Sequence, residues 1–207
     1  YTAAIDRNQW SGSTGNPAID RALAFEMRGY SLYMLGRHRE AVQDLSIASR
    51  AMPQESRIHF FLGLSQLYSD ELESAVASFT KTLELGYKDS ASAFAYRGHA
   101  YAGMGQYGRA LEHFAEAIQR EPTESFSYGS RVLILLCAGD SEHAVEEAQN
   151  DLRRPGTLDV GSQWMAIHCY LALRNSGDFG SAVATVNDVS LRSDEAQWPA
   201  PIIKYLT

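Results

Sequence analysis

Basic residues are scarce in this chain: 18 Lys and Arg stand against 25 Asp and Glu in 207 residues, a net charge of −7, and no basic run occurs. Phosphate backbones and anionic lipid surfaces are bound by clustered Lys and Arg, so neither is a partner for a surface of this kind. Long apolar runs are missing too. The longest, VLILLCA from Val132 to Ala138, falls far short of the roughly 20 residues that cross a bilayer, which excludes membrane insertion. Cysteine is limited to Cys137 and Cys169. Both sit in apolar helical patterns and make neither a disulfide framework nor a metal site, so they read as small buried hydrophobes. The six histidines, His38, His59, His99, His113, His143 and His168, do not pair at three- or four-residue spacing, which removes the helical metal-site pattern. An initiating Met, a basic n-region and an apolar h-region are all absent from the start, YTAAIDR. Either a targeting segment has been removed or the chain is a fragment.

What is present is a globular composition, 45% hydrophobic and 21% charged, arranged as an internal repeat. Blocks of the form Gly-x-x-x-x-Ala recur as GRHREA, GQYGRA, GDSEHA and GDFGSA, with DELESA carrying Asp70 in place of glycine. Their alanines, Ala41, Ala75, Ala110, Ala144 and Ala182, are spaced by 34, 35, 34 and 38 residues. Apolar and small residues recur at three- and four-residue spacing on both sides of each turn, which predicts two amphipathic helices per unit. In the third unit Phe94, Gly98 and Tyr101 form one stripe, and Tyr107, Ala110, Leu111, Phe114, Ala117 and Ile118 form the next. Pro122 then closes the unit, in a position that costs the next helix no hydrogen bond.

This arrangement resembles the tetratricopeptide repeat over nearly the whole chain. The resemblance implies a small residue in each first helix, an aromatic in each second helix and a closing proline. Gly29, Gly63 and Gly98 fill the first role, Phe79 and Phe114 the second, Pro53 and Pro122 the third. The fold expected is all-α, a right-handed superhelical solenoid of about five antiparallel helix pairs with a short covering helix. The units run 18–53, 54–88, 89–122, 123–156 and 159–191; residues 1–7 are the tail of a preceding repeat helix, 8–17 a loop capped by Asn16 and Pro17, and 198–207 the covering helix. WPAPIIKYL, from Trp198, is similar to the helix that covers the last repeat in some bacterial proteins of the family. Departures fall at Thr82 and Tyr87 in the second unit, where Ala and Pro are preferred, and at Val132 and Ala148 in the fourth, where a small and an aromatic residue are expected. These predict altered helix separations. Tyr170 in the small position of the fifth unit predicts a shifted first helix.

One stretch competes with this reading. Gly103 to Gly108, GMGQYG, spells the glycine fingerprint of dinucleotide-binding enzymes, which needs a strand before its first glycine and a helix opening at its last. AFAYRGHAYA precedes it with helical spacing, and its central glycine coincides with the recurring turn, so no cofactor is expected. Acidic runs such as Asp70, Glu71 and Glu73 fall at helix starts and favour the dipole there. No local signature proposes a nucleophile with its base, and the chain is read as no enzyme.

In solenoids of this class the first helices line the concave side. By helical phase and by the resemblance, the inward residues include Glu26, Tyr30, Tyr33 and Met34, then Arg57, Phe60, Leu64 and Tyr68. The later units contribute Ser92, Ala95 and His99, then Phe126, Gly129 and Leu133, then Trp164, Ile167 and Leu171. His99 is the one histidine turned to this face. Members of the family that clamp acidic chaperone tails do so with inward Lys, Asn and Arg, whereas this face is apolar and aromatic. The function expected is therefore a non-catalytic interaction scaffold that receives a peptide or helix of a protein partner by shape and apolar contact, with self-association through the terminal repeats. The alternative is a targeting or regulatory segment of a larger enzyme or of a bacterial cell-envelope assembly protein. Contact residues must stay partly exposed, which predicts exposure for Tyr30, Phe60, Leu64, His99 and Phe126.

Overall fold

The computed structural model describes residues 14–123, 125–153, 160–178 and 180–185. The stretch 1–7, most of the loop before Pro17, the helix expected at 198–207 and the side chain of Trp164 lie outside them. Every regular element among the described residues is an α-helix: α1 Pro17–Met34, α2 His38–Ala51, α3 Ser56–Tyr68, α4 Leu72–Glu84, α5 Ser90–Gly103, α6 Tyr107–Arg120, α7 Ser125–Cys137, α8 Ser141–Leu152 and α9 Val160–Asn175. Residues 180–185 are helical as well. The chain divides into two compact units, one ending at Gln106 and the other beginning at Tyr107.

Helix ends follow from local chemistry. Asn16 caps α1, its side chain accepting from the Ala18 N–H at 3.0 Å, and Pro17 occupies the first turn, where its missing donor costs nothing. The intra-pair turns share one geometry. After α1 the Gly36 N–H bonds the Tyr33 carbonyl and the Arg37 N–H bonds the Leu32 carbonyl, both at 2.9 Å, the paired bonds of a Schellman ending. Such an ending needs a left-handed residue. Gly36, Gly105, Gly139 and Gly177 supply it, and Asp70, at φ 66°, does so in the one turn whose block lacks the glycine. The fingerprint-like stretch is resolved by the same geometry: Gly103 ends α5, Gly105 sits at φ 71° in the turn, and Gly108 lies in α6. The element that leads into it is the helix α5, not a strand.

In the first unit α1 packs on α2, α3 on α4, and each second helix on the following first helix, with lighter contact between α1 and α3 and between α3 and α5. Short turns between touching helices make the pairs antiparallel. The alanines of the repeat blocks, Ala41 and Ala75 here and Ala110, Ala144 and Ala182 in the second unit, are all fully buried. At positions of this kind an added methylene would have to displace packed neighbours. The glycines of the first helices tell the same story: a Cβ on Gly29 would lie 2.7 Å from Leu45 Cγ, and one on Gly63 2.9 Å from the Phe79 ring. Two core clusters result, one around Phe25, Leu45, Ile58 and Leu62, the other around Phe60, Leu64, Phe79 and Ala93.

In the second unit α6 packs on α7, α7 on α8, and α9 on both α7 and α8. Its core gathers Val132, Leu135, Ala144, Ala148, Ala166, Cys169, Tyr170 and Leu173. Here the departures from the repeat pattern compensate each other. Gly63 and Phe79 are 16 residues apart, as are Gly29 and Leu45, and so are Val132 and Ala148. The large side chain has moved from the second helix to the first, and both partners are fully buried. Thr82 is buried and its hydroxyl donates to the Ser78 carbonyl at 2.9 Å. Tyr87 stacks on Phe60 with centroids 4.6 Å apart.

Candidate peptide-binding surface

The first unit carries its exposed apolar surface on α1 and α3. Met27, Tyr30 and Met34 follow one another at helical spacing and all are exposed, Tyr30 at 43%. Tyr68 on α3 is 55% exposed. Between them runs a chain of rings: Tyr30 meets Phe61 edge-on at 4.8 Å, Phe61 meets Tyr33 at 5.6 Å, Tyr33 meets Tyr68 at 6.3 Å, and His38 stacks on Tyr68 at 5.0 Å. Offset and edge contacts of this kind add about 0.5 to 1.5 kcal/mol per pair beyond area burial. Burial pushes the Tyr33 hydroxyl above its ordinary pKa, so it stays protonated.

Beside Tyr30 a cavity of about 460 Å³ opens between α1 and α3, lined by Leu23, Glu26, Met27, Tyr30, Leu45, Arg57 and Phe61 among others. Its floor is apolar. Its charged feature is an ion pair in which the Arg57 Nη2 donates to Glu26 Oε1 at 2.5 Å, and Ser31 also lines it. A second hollow, of about 470 Å³, lies at the turn edge among Arg37, His38, Glu40, Tyr68 and Asp70, and there Arg37 and Glu40 pair at 2.6 Å.

The residues expected on the inner face divide. Glu26, Tyr30 and Arg57 meet at the cavity, and Tyr33 and Tyr68 join through the rings. Phe60 and Leu64 do not: at 6% and 3% exposure they contradict the expectation of exposure. Phe60 packs against Phe79, Tyr87 and Tyr96, and Leu64 shares that cluster. The neighbour, Phe61, lines the cavity instead, half-buried and packed against both core clusters. Two consecutive phenylalanines differ by about 100° on a helix, and the α4 and α5 side claims the first of them. Met27, Phe61 and His38 were missed; the spacing of Met27 to Tyr30 and of Phe61 to Tyr68 was the available signal. His99 is half-buried, and burial lowers its pKa to about 4, so at neutral pH it carries no charge.

In the second unit Phe126 and Leu133 are exposed on α7 and, seven residues apart, share a face. Ile167 is buried, against expectation, since α9 packs on both α7 and α8. Leu171 packs against the unit's core. Of the two cysteines expected to be buried only Cys169 is, whereas Cys137, the last residue of α7, is exposed; burial pushes the Cys169 thiol up to about 11, which keeps it protonated at neutral pH. Among the described residues no His, Cys, Asp and Glu group could hold a metal, and no helix is long and apolar enough to cross a membrane.

Comparison with known proteins agrees with the helix-pair reading. Residues 91–124 match the family model described as tetratricopeptide repeat. The human tetratricopeptide repeat protein 13 is 33% identical over 102 residues, 49% of this chain and 12% of that protein. The chain spans about a tenth of the length of the curated relatives it matches. The crystal structure of PilW, a widely conserved type IV pilus biogenesis factor, superposes with a TM-score of 0.72 at 17% identity, covering 92% of this chain and 83% of that one. The first such domain of Spaghetti, solved bound to an HSP90 peptide, gives a TM-score of 0.53 at 15% identity, with 57% and 93% covered.

Proposed function

From the premise that this chain carries tetratricopeptide repeats, we propose that it is a non-catalytic interaction module whose first unit receives a peptide or helix of a protein partner on the α1 and α3 surface. The observation that carries this is the exposed run Met27, Tyr30 and Met34, continued by Tyr68 and held by ring contacts to Phe61 and Tyr33. Large apolar side chains exposed in a row along one helix face mark an interaction surface, and aromatics set beside a pocket are the usual anchors of protein recognition. The second unit, taken by itself, exposes Phe126 and Leu133. The peptide seen on one structural neighbour supports the ligand class.

The test is a photo-crosslinking amino acid placed at position 30, on the proposed surface, and at position 43, an exposed position on α2. Protein adducts from position 30 and none from position 43 are expected. Equal labelling, or labelling from 43 alone, removes the α1 and α3 surface as the site. Self-association through the terminal repeats finds support in an apolar hollow of about 410 Å³ among Pro17, Ala22, Phe25 and Ile47, and sedimentation across a concentration series reads it directly. The second reading, a regulatory or targeting segment of a larger protein, is favoured by the far greater length of the curated relatives.

A further inference from the structure

Helix α1 places two thioethers in water. Met27 is 40% exposed and Met34 64%, one on each side of Tyr30 along the same helix face, and Met27 also lines the cavity. Met52 and Met104 are half-buried, and Met52 packs against a core cluster. Leucine at either α1 position would form helix as readily and present a similar apolar volume, yet it would be inert to peroxide. An exposed methionine is not: it takes up one oxygen and becomes the sulfoxide, a polar and chiral side chain.

We propose that Met27 and Met34 are oxidation sites, and that their conversion to sulfoxides releases the peptide or helix held on the α1 and α3 surface. The proposal rests on that surface being the binding site. In the step itself a sulfur lone pair takes one oxygen of hydrogen peroxide as the O–O bond breaks; sulfur gives up two electrons, and the other oxygen leaves as water with both protons. Each new S–O oxygen is a strong acceptor set in an apolar contact. A partner's apolar side chain pressed against it strips away water and offers no donor, which disfavours the bound state. Neither methionine belongs to the buried core clusters, so the surface changes while the fold persists. A dithiol-dependent sulfoxide reductase removes the oxygen as water and leaves a disulfide, which makes the change reversible.

The test uses the full chain carrying Cys137→Ser, which removes the exposed thiol as a competing site of oxidation. Its probe is a peptide free of Met and Cys, selected on that chain from a phage-displayed random library and bound more weakly after Tyr30→Ala. Following dilute hydrogen peroxide, and its removal by catalase before the peptide is added, mass mapping should find oxygen on Met27 and Met34 ahead of Met52 and Met104. Affinity for the peptide should have fallen about tenfold or more, and sulfoxide reductases with a dithiol should restore it. The chain with Met27→Leu and Met34→Leu, treated alike, should bind as its own untreated form does. Affinity that survives oxidation of both residues, or that falls equally in the leucine chain, overturns the proposal and leaves the surface standing; so does oxidation of Met52 or Met104 ahead of them. Selection of no peptide whose binding depends on Tyr30 overturns both. Mapping and reversal need no methionine variant, so they decide even where the leucine chain folds poorly.

Discussion

Gly63→Ala should destabilise the chain although alanine is the better helix former. Gly63 lies inside α3, and a Cβ built there falls 2.9 Å from Phe79 Cε1 and 3.0 Å from both Cδ1 and Cζ. Ordinary carbon contacts lie at about 3.5 Å or beyond, so something must move by about half an ångström. Phe79 is fully buried in contact with Phe60 and Tyr96 and has nowhere to go. Overpacking of this sort costs about 1 to 3 kcal/mol, against about 1 kcal/mol regained in helix propensity, for a net loss of up to about 2 kcal/mol. Gly108→Ala is the control: nothing lies within 4 Å of its Cβ, so propensity alone acts and stability rises by roughly 0.5 kcal/mol. Replacing Phe79 by Leu removes the obstructing ring, and Gly63→Ala in that background should become neutral or stabilising, a coupling that a double-mutant cycle in urea measures. Equal and favourable effects of Gly63→Ala and Gly108→Ala would refute the close crossing of α3 and α4.

Asp70→Gly should raise the melting temperature, corresponding to about 0.5 to 1 kcal/mol, because Asp70 holds φ 66°, a conformation that costs L-residues about 1 kcal/mol or more and glycine little; a β-branched Asp70→Val should lower it. Phe60→Ala should cost about 3 to 5 kcal/mol of stability, while Tyr30→Ala leaves the melt nearly unchanged and weakens peptide binding by about 1 to 4 kcal/mol; calorimetry and melts on the same two proteins separate core from surface. His99 should impose a pH dependence. Its folded pKa, about 4, lies below the ordinary 6.5, so the unfolded chain takes up the proton first. Stability is intact above pH 6.5 and falls as the pH drops toward 4, by at most about 3 kcal/mol at 1.36 kcal/mol per unit. Urea midpoints at several pH values should therefore flatten over that window in His99→Gln, and an unchanged slope counts against the buried neutral imidazole.

The helix pairs were legible because their constraints are local and unforgiving. A left-handed turn residue admits glycine or an occasional Asp, and a close crossing admits alanine, so five blocks at a period near 34 announce the architecture without reference to tertiary contacts. The fourth unit shows where that legibility ends. Val132 and Ala148 look like two separate violations until the offset of 16 residues places them in one core cluster, where large and small have exchanged places.

The surface was harder to read, since a first helix is touched on more than one side and an apolar residue serves core and groove equally well. Phe60 and Phe61 cannot be told apart by hydrophobicity; the rings of Phe79, Tyr87 and Tyr96 claim Phe60. Charges are more informative, because the repeat supplies its own reference. Arg28 pairs with Asp44, and Arg131 with Glu147, each across 16 residues, the same offset that joins the two helices of a pair at the crossing. These links recur with the repeat and belong to its packing. Glu26 and Arg57 are 31 residues apart and join the first helices of successive pairs, outside that scheme. An ion pair that follows the period is explained by the fold. One that breaks it, at the mouth of a pocket and with its arginine turned to water, is not explained by the period.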